Sequence, residues 1–499
     1  MGLFIRKPLN LLLNEASDSE KGLRKTLTAP GLVALGIGAI IGAGLFSITG
    51  LAAANNAGPA ITISFIIAAV GCAFAGLCYA EFASMIPVAG SAYTYSYATM
   101  GEFIAWIIGW DLVLEYAVGA ATVAISWSRY LVKFLGEFNI HIDPAWTLSP
   151  LDGGIINMPA VFIVCLMSLI LMRGTKESSF VNGLIVLLKV SVVLIFIALG
   201  WQYIQPANYE PYIPPNNGTF GEFGFSGIIR AAAIVFFAYI GFEAVSTAGQ
   251  EAKNPAKDMP FGIIGSLIAC TVIYILVSIV LTLIVPYNQL NVPDPVAVAV
   301  DAFGPQWAWF ASTIKVGAII GLTSVILVLM YAQTRIFYTM SRDGLLPKIF
   351  SRVHPKFRTP WINTLLVGLA VAIAAGFFDI NFLGDATSVG TLAAFAIVCL
   401  TVIWLRRTHP EIPRGYRVPL YPVVPALGII SCVWLITSVP MPVLTFFFWY
   451  VMGGMLLYFI YGMRNSELAK GHDVMADDEL PYFPEDAPRD ASGEPIIRP

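Results

Sequence analysis

The feature that constrains this chain most is a long stretch without charge near its N-terminus. Residues 26–80 contain no Asp, Glu, Lys or Arg, and Lys25 and Glu81 bracket the stretch. A soluble domain of ordinary composition carries about one charged residue in four, whereas 12% of this whole chain is charged and 57% is hydrophobic. Two bilayer-spanning helices of about 20 residues each and a short turn fill such a stretch. The chain is therefore predicted to be an all-α integral membrane protein.

The same length criterion predicts twelve membrane spans within a body that covers residues 26–464. Prolines and glycines mark several of the boundaries between them. The predicted spans lie near 30–54, 59–82, 103–132, 158–173, 180–203, 228–250, 262–285, 306–340, 362–378, 387–405, 422–439 and 443–463.

The basic residues predict the orientation of these spans. The long loops at 204–227 and 286–305 contain no Lys or Arg, while most basic residues fall in the alternate connections. Because basic loops stay in the cytoplasm, both termini are predicted to be cytoplasmic and the protein to lie in the plasma membrane. The N-terminal segment 1–25 does not have the pattern of a cleaved signal peptide. The tail 465–499 is acidic and poor in apolar residues, which predicts a disordered end.

Four glycines fall within nine residues of the first span, between Gly36 and Gly44. Glycine weakens a helix that the bilayer otherwise requires to be complete. A dinucleotide-binding fingerprint is disfavoured because it needs a strand, a tight turn and a helix of a soluble sheet. Two interpretations stay open. Gly38 and Gly42 can form a helix-packing face, or the helix is discontinuous and its unwound backbone contacts a ligand near mid-membrane.

The sixth span has a matching interruption. Gly241 and Glu243 break the apolar run at 236–243. Paired interrupted segments at corresponding positions of two halves indicate a transporter binding site. Five spans separate the two breaks, and because five is odd the halves would be inverted relative to each other. The first repeat is expected at about 30–203 and the second at about 228–405, with extra helices at about 422–463.

Several short motifs occur along the chain in a characteristic order. They are AGP at 57–59, GLCYAEF at 76–82, Pro87 followed by GSAY at 90–93, GE at 101–102, GW at 109–110, GFE at 241–243, Glu251 with KNP at 253–255, and Arg335 with RDGLLP at 342–347. In this order and spacing they resemble the amino acid–polyamine–organocation superfamily, and within it bacterial members of the cationic amino acid transporter family. The resemblance extends over roughly residues 25–460.

The resemblance implies the leucine-transporter type of fold, with five-plus-five inverted repeats and two extra helices. It also implies a substrate held by backbone groups at the two breaks, with the α-carboxylate on amides of the first break and the ammonium on carbonyls of both. Helix-end polarity agrees, because a helix N-terminus favours an anion. The implied substrate-binding residues are Ile40, Gly42, Ala43, Gly44, Phe237, Ala238 and Ile240, with Phe236 and Tyr239 as gating or supporting neighbours.

The chain departs from the animal members of that family in two ways. Those members have fourteen spans, whereas twelve are predicted here, as in bacterial relatives. No acidic residue is placed to hold a basic side chain. Cationic and small neutral L-amino acids therefore both remain candidate substrates, and the small residues Gly42, Ala43 and Gly44 are expected to leave room for a small side chain.

Ionisable residues at membrane depth need a specific reason, because each costs a few kcal/mol. Glu115 is expected near the middle of the third span, as a charge partner, as part of the substrate pathway, or in a structural hydrogen bond. Glu243 is expected either to support freed amides at the sixth-span break or to contact substrate. Glu81 is expected to be a gate contact or a solvated helix cap. Lys315 is expected to extend to the outer surface.

Lys189, in the fifth span, is the candidate for proton coupling. In sodium-coupled proteins of this fold a cation bridges the first and eighth helices, and some proton-coupled relatives place a fifth-span lysine there. An ammonium can occupy the same carbonyl cage, and burial disfavours its charged form. The alternative is a fixed ion pair between Lys189 and Glu115.

The sequence thus favours a secondary active transporter that imports amino acids with protons. An exchanger or a sodium-coupled symporter of the same fold is the alternative. A membrane-embedded enzyme is disfavoured because the four histidines lie in loops or the tail, and a channel does not need substrate-holding breaks. The six cysteines lack the spacing of a zinc site, so no metal or cofactor is expected. The expected partners are the amino acid, protons and the lipid bilayer, without nucleic acid; an accessory subunit is left unassigned.

Overall fold

A computed structural model of the protein describes most of the body and little of either end. The described residues are 5–7, 27–85, 91–174, 179–243, 245–246, 252–357, 359–408, 410, 414–468 and 470. The predictions for the N-terminal segment 1–25 and for the acidic tail 465–499 therefore fall almost entirely outside the described residues.

The described residues form helices and connecting loops, and their only bridge of strand type joins Leu27 to Ala252. The all-α prediction is confirmed. The helices are α1 (Ala29–Ile40), α2 (44–57), α3 (Ile61–Met85), α4 (Ser91–Thr99), α5 (Glu102–Gly136), α6 (Met158–Arg173), α7 (Ser179–Gly200), α8 (Gly224–Tyr239), α9 (Pro255–Ile284), α10 (Pro295–Asp301), α11 (Ala308–Arg342), α12 (Trp361–Phe377), α13 (Ile380–Thr408), α14 (Val423–Thr437) and α15 (Met441–Asn465).

Many of these helices are apolar. In the described part of the chain, 7 helical segments are long and apolar enough to cross a membrane by length and composition, and a further group of apolar helices has 10–17 residues. Each of the twelve ranges in which a span was predicted contains some helical residues, although the range 228–250 is helical only as far as Tyr239 before the second break. The class prediction, a helical membrane protein, agrees with both observations.

The boundaries differ from the prediction where polar residues lie inside a helix. Helix α9 begins at Pro255, before the predicted 262, and its first turns contain Lys257 and Asp258. Helix α13 begins at Ile380, before the predicted 387, and includes Asp385. The short helices α4 and α10 were not predicted at all, because each is shorter than a span. A criterion based on the length of apolar segments detects neither the polar first turns of a longer helix nor a helix shorter than a membrane span.

Helix α3 lies in the centre of the body, where it packs against α8, α9 and α14. Helix α1 packs against α9, and α5 packs against α11. Helix α15 lies at the periphery, since 17% of its most apolar window is buried, against 61% for α9. The two broken segments, α1–α2 and α8 with the residues after it, are therefore enclosed by the rest of the bundle.

Candidate functional site

Both expected breaks are present. Helix α1 ends at Ile40, and Ile41 adopts an extended conformation with φ −71° and ψ 104°. Helix α8 ends at Tyr239, Ile240 is extended, and Gly241 has φ +116°. A positive φ of that size strongly favours glycine. The second break is therefore encoded by Gly241 as the sequence suggested.

The two breaks touch each other through their backbones. A Cβ atom added to Gly44 would lie 2.3 Å from Ala238 Cα, and one added to Gly241 would lie 2.9 Å from the carbonyl carbon of Ala39. The expectation that Gly44 leaves room for a substrate side chain is wrong in this conformation, because Ala238 already fills that space. Glycine is required here for close helix contact, as well as for the break.

The packing interpretation of the first-span glycines also holds in part. A Cβ on Gly38 would lie 2.5 Å from Val186 of α7, whereas one on Gly42 would make ordinary contact with Val325 of α11 at 3.4 Å. The packing face and the broken helix thus coexist, since Gly38 belongs to the packed part of α1 and Gly42 to the break.

The structure brings the implied substrate-binding residues together at these breaks. All of them are buried, and Ile240 is the most exposed of the hydrophobic ones at 7%. Tyr274 of α9, which the sequence did not single out, joins the two breaks: its hydroxyl lies 2.9 Å from the Ile40 carbonyl oxygen and 2.7 Å from that of Ala238. Nothing distinguishes Tyr274 in the sequence from other buried tyrosines.

The two flanking aromatic residues of the second break point to neighbouring helices. The Phe236 ring packs against Phe395 of α13 with a centroid distance of 5.7 Å. The Tyr239 hydroxyl donates to the Phe65 carbonyl oxygen of α3 at 3.2 Å. Both side chains are fully buried. In this conformation they anchor the end of α8.

Lys189 is fully buried, and its ammonium donates to backbone carbonyls of the first broken helix. The acceptors are the Gly38 oxygen and, at 2.9 Å, the Ile41 oxygen. Those carbonyls lie at the C-terminal end of α1, where the helix dipole favours a cation. Gly321 of α11 packs against the Lys189 side chain, since a Cβ there would lie 3.4 Å from its Cδ. The lysine thus lies between the first and eighth predicted spans.

The alternative pairing of Lys189 with Glu115 is wrong, because Glu115 lies next to another acid. It occupies a wide π turn of α5 and interacts with Glu243, while Asp111 lies one turn earlier. Neither Glu115 oxygen has a hydrogen-bond partner of good geometry in the described residues. Glu243 Oε2 accepts the Gly241 N–H at 3.0 Å, as its supporting role would require.

The family follows from comparison with known sequences. A model of the amino acid permease family matches residues 27–461, a range that includes both breaks and Lys189. The chain belongs to the amino acid permease family. The superfamily resemblance seen in the sequence is thereby confirmed, and the permease is a multi-pass membrane protein.

Several curated proteins are similar to this permease over most of its length. The methylthioribose transporter of Bacillus subtilis (strain 168) is 48% identical over 471 residues, which are 94% of this chain and 99% of that protein. The branched-chain amino acid permease BcaP of the same bacterium is 43% identical over 471 residues, which are 93% of this chain and 99% of that protein. The vacuolar cationic amino acid transporter 4 of Arabidopsis thaliana is 39% identical, over 79% of this chain and 65% of that protein.

Glu81 of the permease is buried in an ion-pair network. Its carboxylate accepts hydrogen bonds from Arg406 Nε at 2.9 Å and from the Val418 N–H at 2.8 Å. Arg414 Nε forms an ion pair with Glu81 Oε1 at 3.2 Å. The solvated-cap interpretation is therefore wrong. The network ties the end of α3 to the end of α13 and to the loop that follows it, on the side that carries the basic loops.

Lys315 does not extend to the surface, so that expectation is also wrong. Its ammonium donates to Glu137 Oε1 at 2.7 Å and lies 3.7 Å from Asp294 Oδ2. Burial raises the pKa of the Asp294 carboxyl, and the neighbouring Lys315 opposes that rise. This cluster fastens the loop before α10 to α5 and α11. The Ser47 hydroxyl of α2 donates to the Pro293 carbonyl oxygen at 3.1 Å, so the same loop also contacts α2.

Proposed function

We propose that this permease is a secondary active transporter that carries α-amino acids into the cell across the plasma membrane, coupled to protons. The observation that carries the proposal is the meeting of two broken helices, whose unwound backbones supply amides and carbonyls at one buried place. Such a place binds a zwitterion through backbone groups. The similarity to a branched-chain amino acid permease and to a cationic amino acid transporter supports it.

We propose twelve membrane spans in the leucine-transporter arrangement. Helix pairing supports two inverted repeats, because elements at corresponding positions of the two halves pack together: α3 with α9, α5 with α11, and α6 with α12. The contact of α1 with α9 is matched by that of α8 with α3. A two-fold axis in the membrane plane would produce both sets of contacts.

At the breaks, the substrate α-carboxylate would bind amides around Gly42, Ala43 and Gly44, at the start of α2. The substrate ammonium would bind carbonyl oxygens of the residues that end α1 and α8. Those two sets of groups lie at opposite ends of helix dipoles, which is the arrangement that a zwitterion requires. Lys189 would carry the coupling proton, because it already occupies the carbonyls that a coupling cation would use.

Uptake into proteoliposomes tests this function. We expect radiolabelled alanine or leucine to accumulate when the lumen is more alkaline than the medium, and unlabelled free amino acids to compete. Amides of the same amino acids should not compete, because they lack the carboxylate that binds the freed amides. Equal competition by amides would contradict the assignment of the carboxylate. Accumulation that requires sodium rather than the pH gradient would contradict proton coupling.

A second candidate substrate is methylthioribose, favoured by the 48% identity to a transporter of that compound. Methylthioribose has neither an α-carboxylate nor an ammonium group, so the backbone groups at the helix ends would form hydrogen bonds with its hydroxyl groups instead. The same proteoliposomes discriminate between the two substrates. Saturable uptake of methylthioribose, without competition by amino acids, would favour this candidate and contradict amino acid transport.

The proposed orientation places the loop at 204–227 outside and both termini in the cytoplasm. Asn217 is exposed in that loop, and Lys356 is exposed in the basic connection between α11 and α12. In intact cells we expect an impermeant thiol reagent to label Asn217→Cys and to leave Lys356→Cys unlabelled, with the wild-type chain as background. The reverse pattern would invert the topology.

A further inference from the structure

The connection between α11 and α12 carries positive charge without matching acid. Four of the residues at 348–358 are Lys or Arg, and no Asp or Glu occurs in 344–378. Arg352 and Lys356 of this connection are exposed, as is Arg173 at the end of α6. None of these three forms an ion pair with an acid in the described part of the chain. Their charges are therefore available to an anion from outside the protein.

Hydrogen bonds hold this connection against the end of α6. The Thr359 hydroxyl donates to the Met172 carbonyl oxygen at 2.6 Å, and the His354 N–H donates to the Thr359 carbonyl oxygen at 2.8 Å. His354 Nδ1 in turn accepts the Lys356 N–H at 3.1 Å. Because Arg173 directly follows Met172, the backbone segments that carry Arg173 and Lys356 are fixed next to each other. Basic groups on such a preorganised backbone lose less entropy when they bind.

An apolar surface extends from these basic residues along α6 and α12. The two helices pack closely, since a Cβ added to Gly376 would lie 3.0 Å from the Val161 side chain. Each helix also exposes large apolar side chains three or four residues apart, which places them on one face. They are Phe162, Leu166 and Leu169 on α6, and Leu365, Leu369 and Ile373 on α12. In a membrane protein an exposed face of this kind contacts the acyl chains of lipids.

Two further features lie where the apolar surface meets the basic residues. Helix α12 has 17 residues and begins at Trp361, so its partially positive N-terminal end adds to the field of the basic side chains. The side chains of Trp361 and Phe357 are 37% and 41% exposed there. Tryptophan is enriched at the level of lipid headgroups. The basic residues are therefore at the height of the phosphates of the adjacent leaflet.

We propose that this surface, the α6–α12 lipid site, binds an anionic phospholipid of the leaflet that faces the basic loops. Arg173, Arg352 and Lys356 bind the lipid phosphate, and the acyl chains lie along α6 and α12. Clusters of basic residues at the end of membrane helices attract anionic headgroups. Free phosphate would leave the apolar face unused. A zwitterionic phospholipid carries an ammonium group that the same basic residues repel.

Binding of phosphatidylglycerol to the full-length protein tests the site. Native mass spectrometry of the detergent-solubilised protein measures the Kd of the first bound lipid. We expect phosphatidylglycerol to bind more tightly than phosphatidylcholine with the same acyl chains. The triple variant Arg173→Gln, Arg352→Gln and Lys356→Gln should weaken phosphatidylglycerol binding about a hundredfold, because each basic residue near the headgroup contributes a factor of about five. Its binding of phosphatidylcholine should be unchanged.

The matched control removes the same charge outside the site. Arg407, Arg417 and Arg464 are exposed on the side that carries the basic loops, and all three are changed to Gln. Because distant exposed charges are screened by salt, the Kd for phosphatidylglycerol should stay within about twofold of the wild type. Inorganic phosphate at the concentration of the lipid should not compete, since it has no acyl chains to bind along α6 and α12.

The outcomes separate a lipid site from a diffuse positive surface. Equal weakening by the two triple variants, or equal affinity for the two lipids, would overturn the proposal. Competition by inorganic phosphate would identify a site for free anions and overturn the choice of a lipid. A thermal unfolding curve shows whether the variants are folded. If the triple variant is not, Arg352→Gln with Lys356→Gln in the exposed connection decides alone, with an expected weakening of about 25-fold. The measurement needs no transported substrate, so its result is independent of the proposed function.

Discussion

Lys189→Ala is expected to abolish pH-driven accumulation of substrate, while the detergent-solubilised protein stays folded and still binds substrate. The Lys189 ammonium holds the Gly38 and Ile41 carbonyl oxygens at the end of α1. Loss of its proton would remove the positive charge and one of the three N–H donors, which weakens the attraction to these carbonyl oxygens, so protonation and the position of α1 are linked. Alanine removes both the proton and the contact, which leaves transport only downhill.

The control for this variant is Lys133→Ala, a lysine exposed near the end of α5, which should accumulate substrate like the wild type. Binding is measured by the substrate-dependent rise of the thermal unfolding midpoint, because a ligand that binds the folded state raises that midpoint. Undiminished pH-driven accumulation by Lys189→Ala would exclude the coupling role. Sodium-stimulated uptake by the wild type would identify the rival ion.

Gly44→Val should abolish transport and lower stability. Its Cβ would lie 2.3 Å from the Cα of Ala238, and a backbone atom cannot rotate away. The two breaks would have to separate, and overpacking of this kind costs about 1–3 kcal/mol. We therefore expect no uptake and a lower midpoint of thermal unfolding in detergent.

A matched substitution isolates the contact between the breaks. Gly453 lies within α15, and a Cβ added there has no atom within 4 Å. Gly453→Val places the same side chain in an apolar helix without a steric conflict, so uptake should match the wild type. Wild-type uptake by Gly44→Val would show that the close approach of the two breaks is not needed for transport.

The sequence predicted those parts of the site at which a residue is unfavourable in a membrane-spanning helix and therefore conspicuous. A bilayer tolerates neither a broken helix nor a buried charge without a reason. Gly44, Gly241 and Lys189 therefore stand out from an otherwise apolar chain. Their positions at two contacting breaks and at the end of α1 follow that expectation.

The partners of these residues were not predictable, because they come from elements that are distant in sequence. Glu81 is 325 residues from Arg406, and Arg230 is 155 residues from Asp385. Nothing local to either carboxylate indicates which basic side chain the fold will bring to it. The neighbour of Glu115 was not predictable either, since a helix position gives depth in the membrane but not the identity of the facing residue.

The hydroxyl of Tyr274 has fewer hydrogens than it has nearby acceptors. A phenol carries a single hydrogen, whereas two carbonyl oxygens, those of Ile40 and Ala238, lie within its reach. The hydroxyl can donate only one strong hydrogen bond at a time, so one of the two carbonyl oxygens is left without this donor. A substrate ammonium carries three hydrogens and would satisfy both carbonyls. On the proposed binding mode, a substrate ammonium would take the place of the Tyr274 hydroxyl and would donate to both carbonyl oxygens at once.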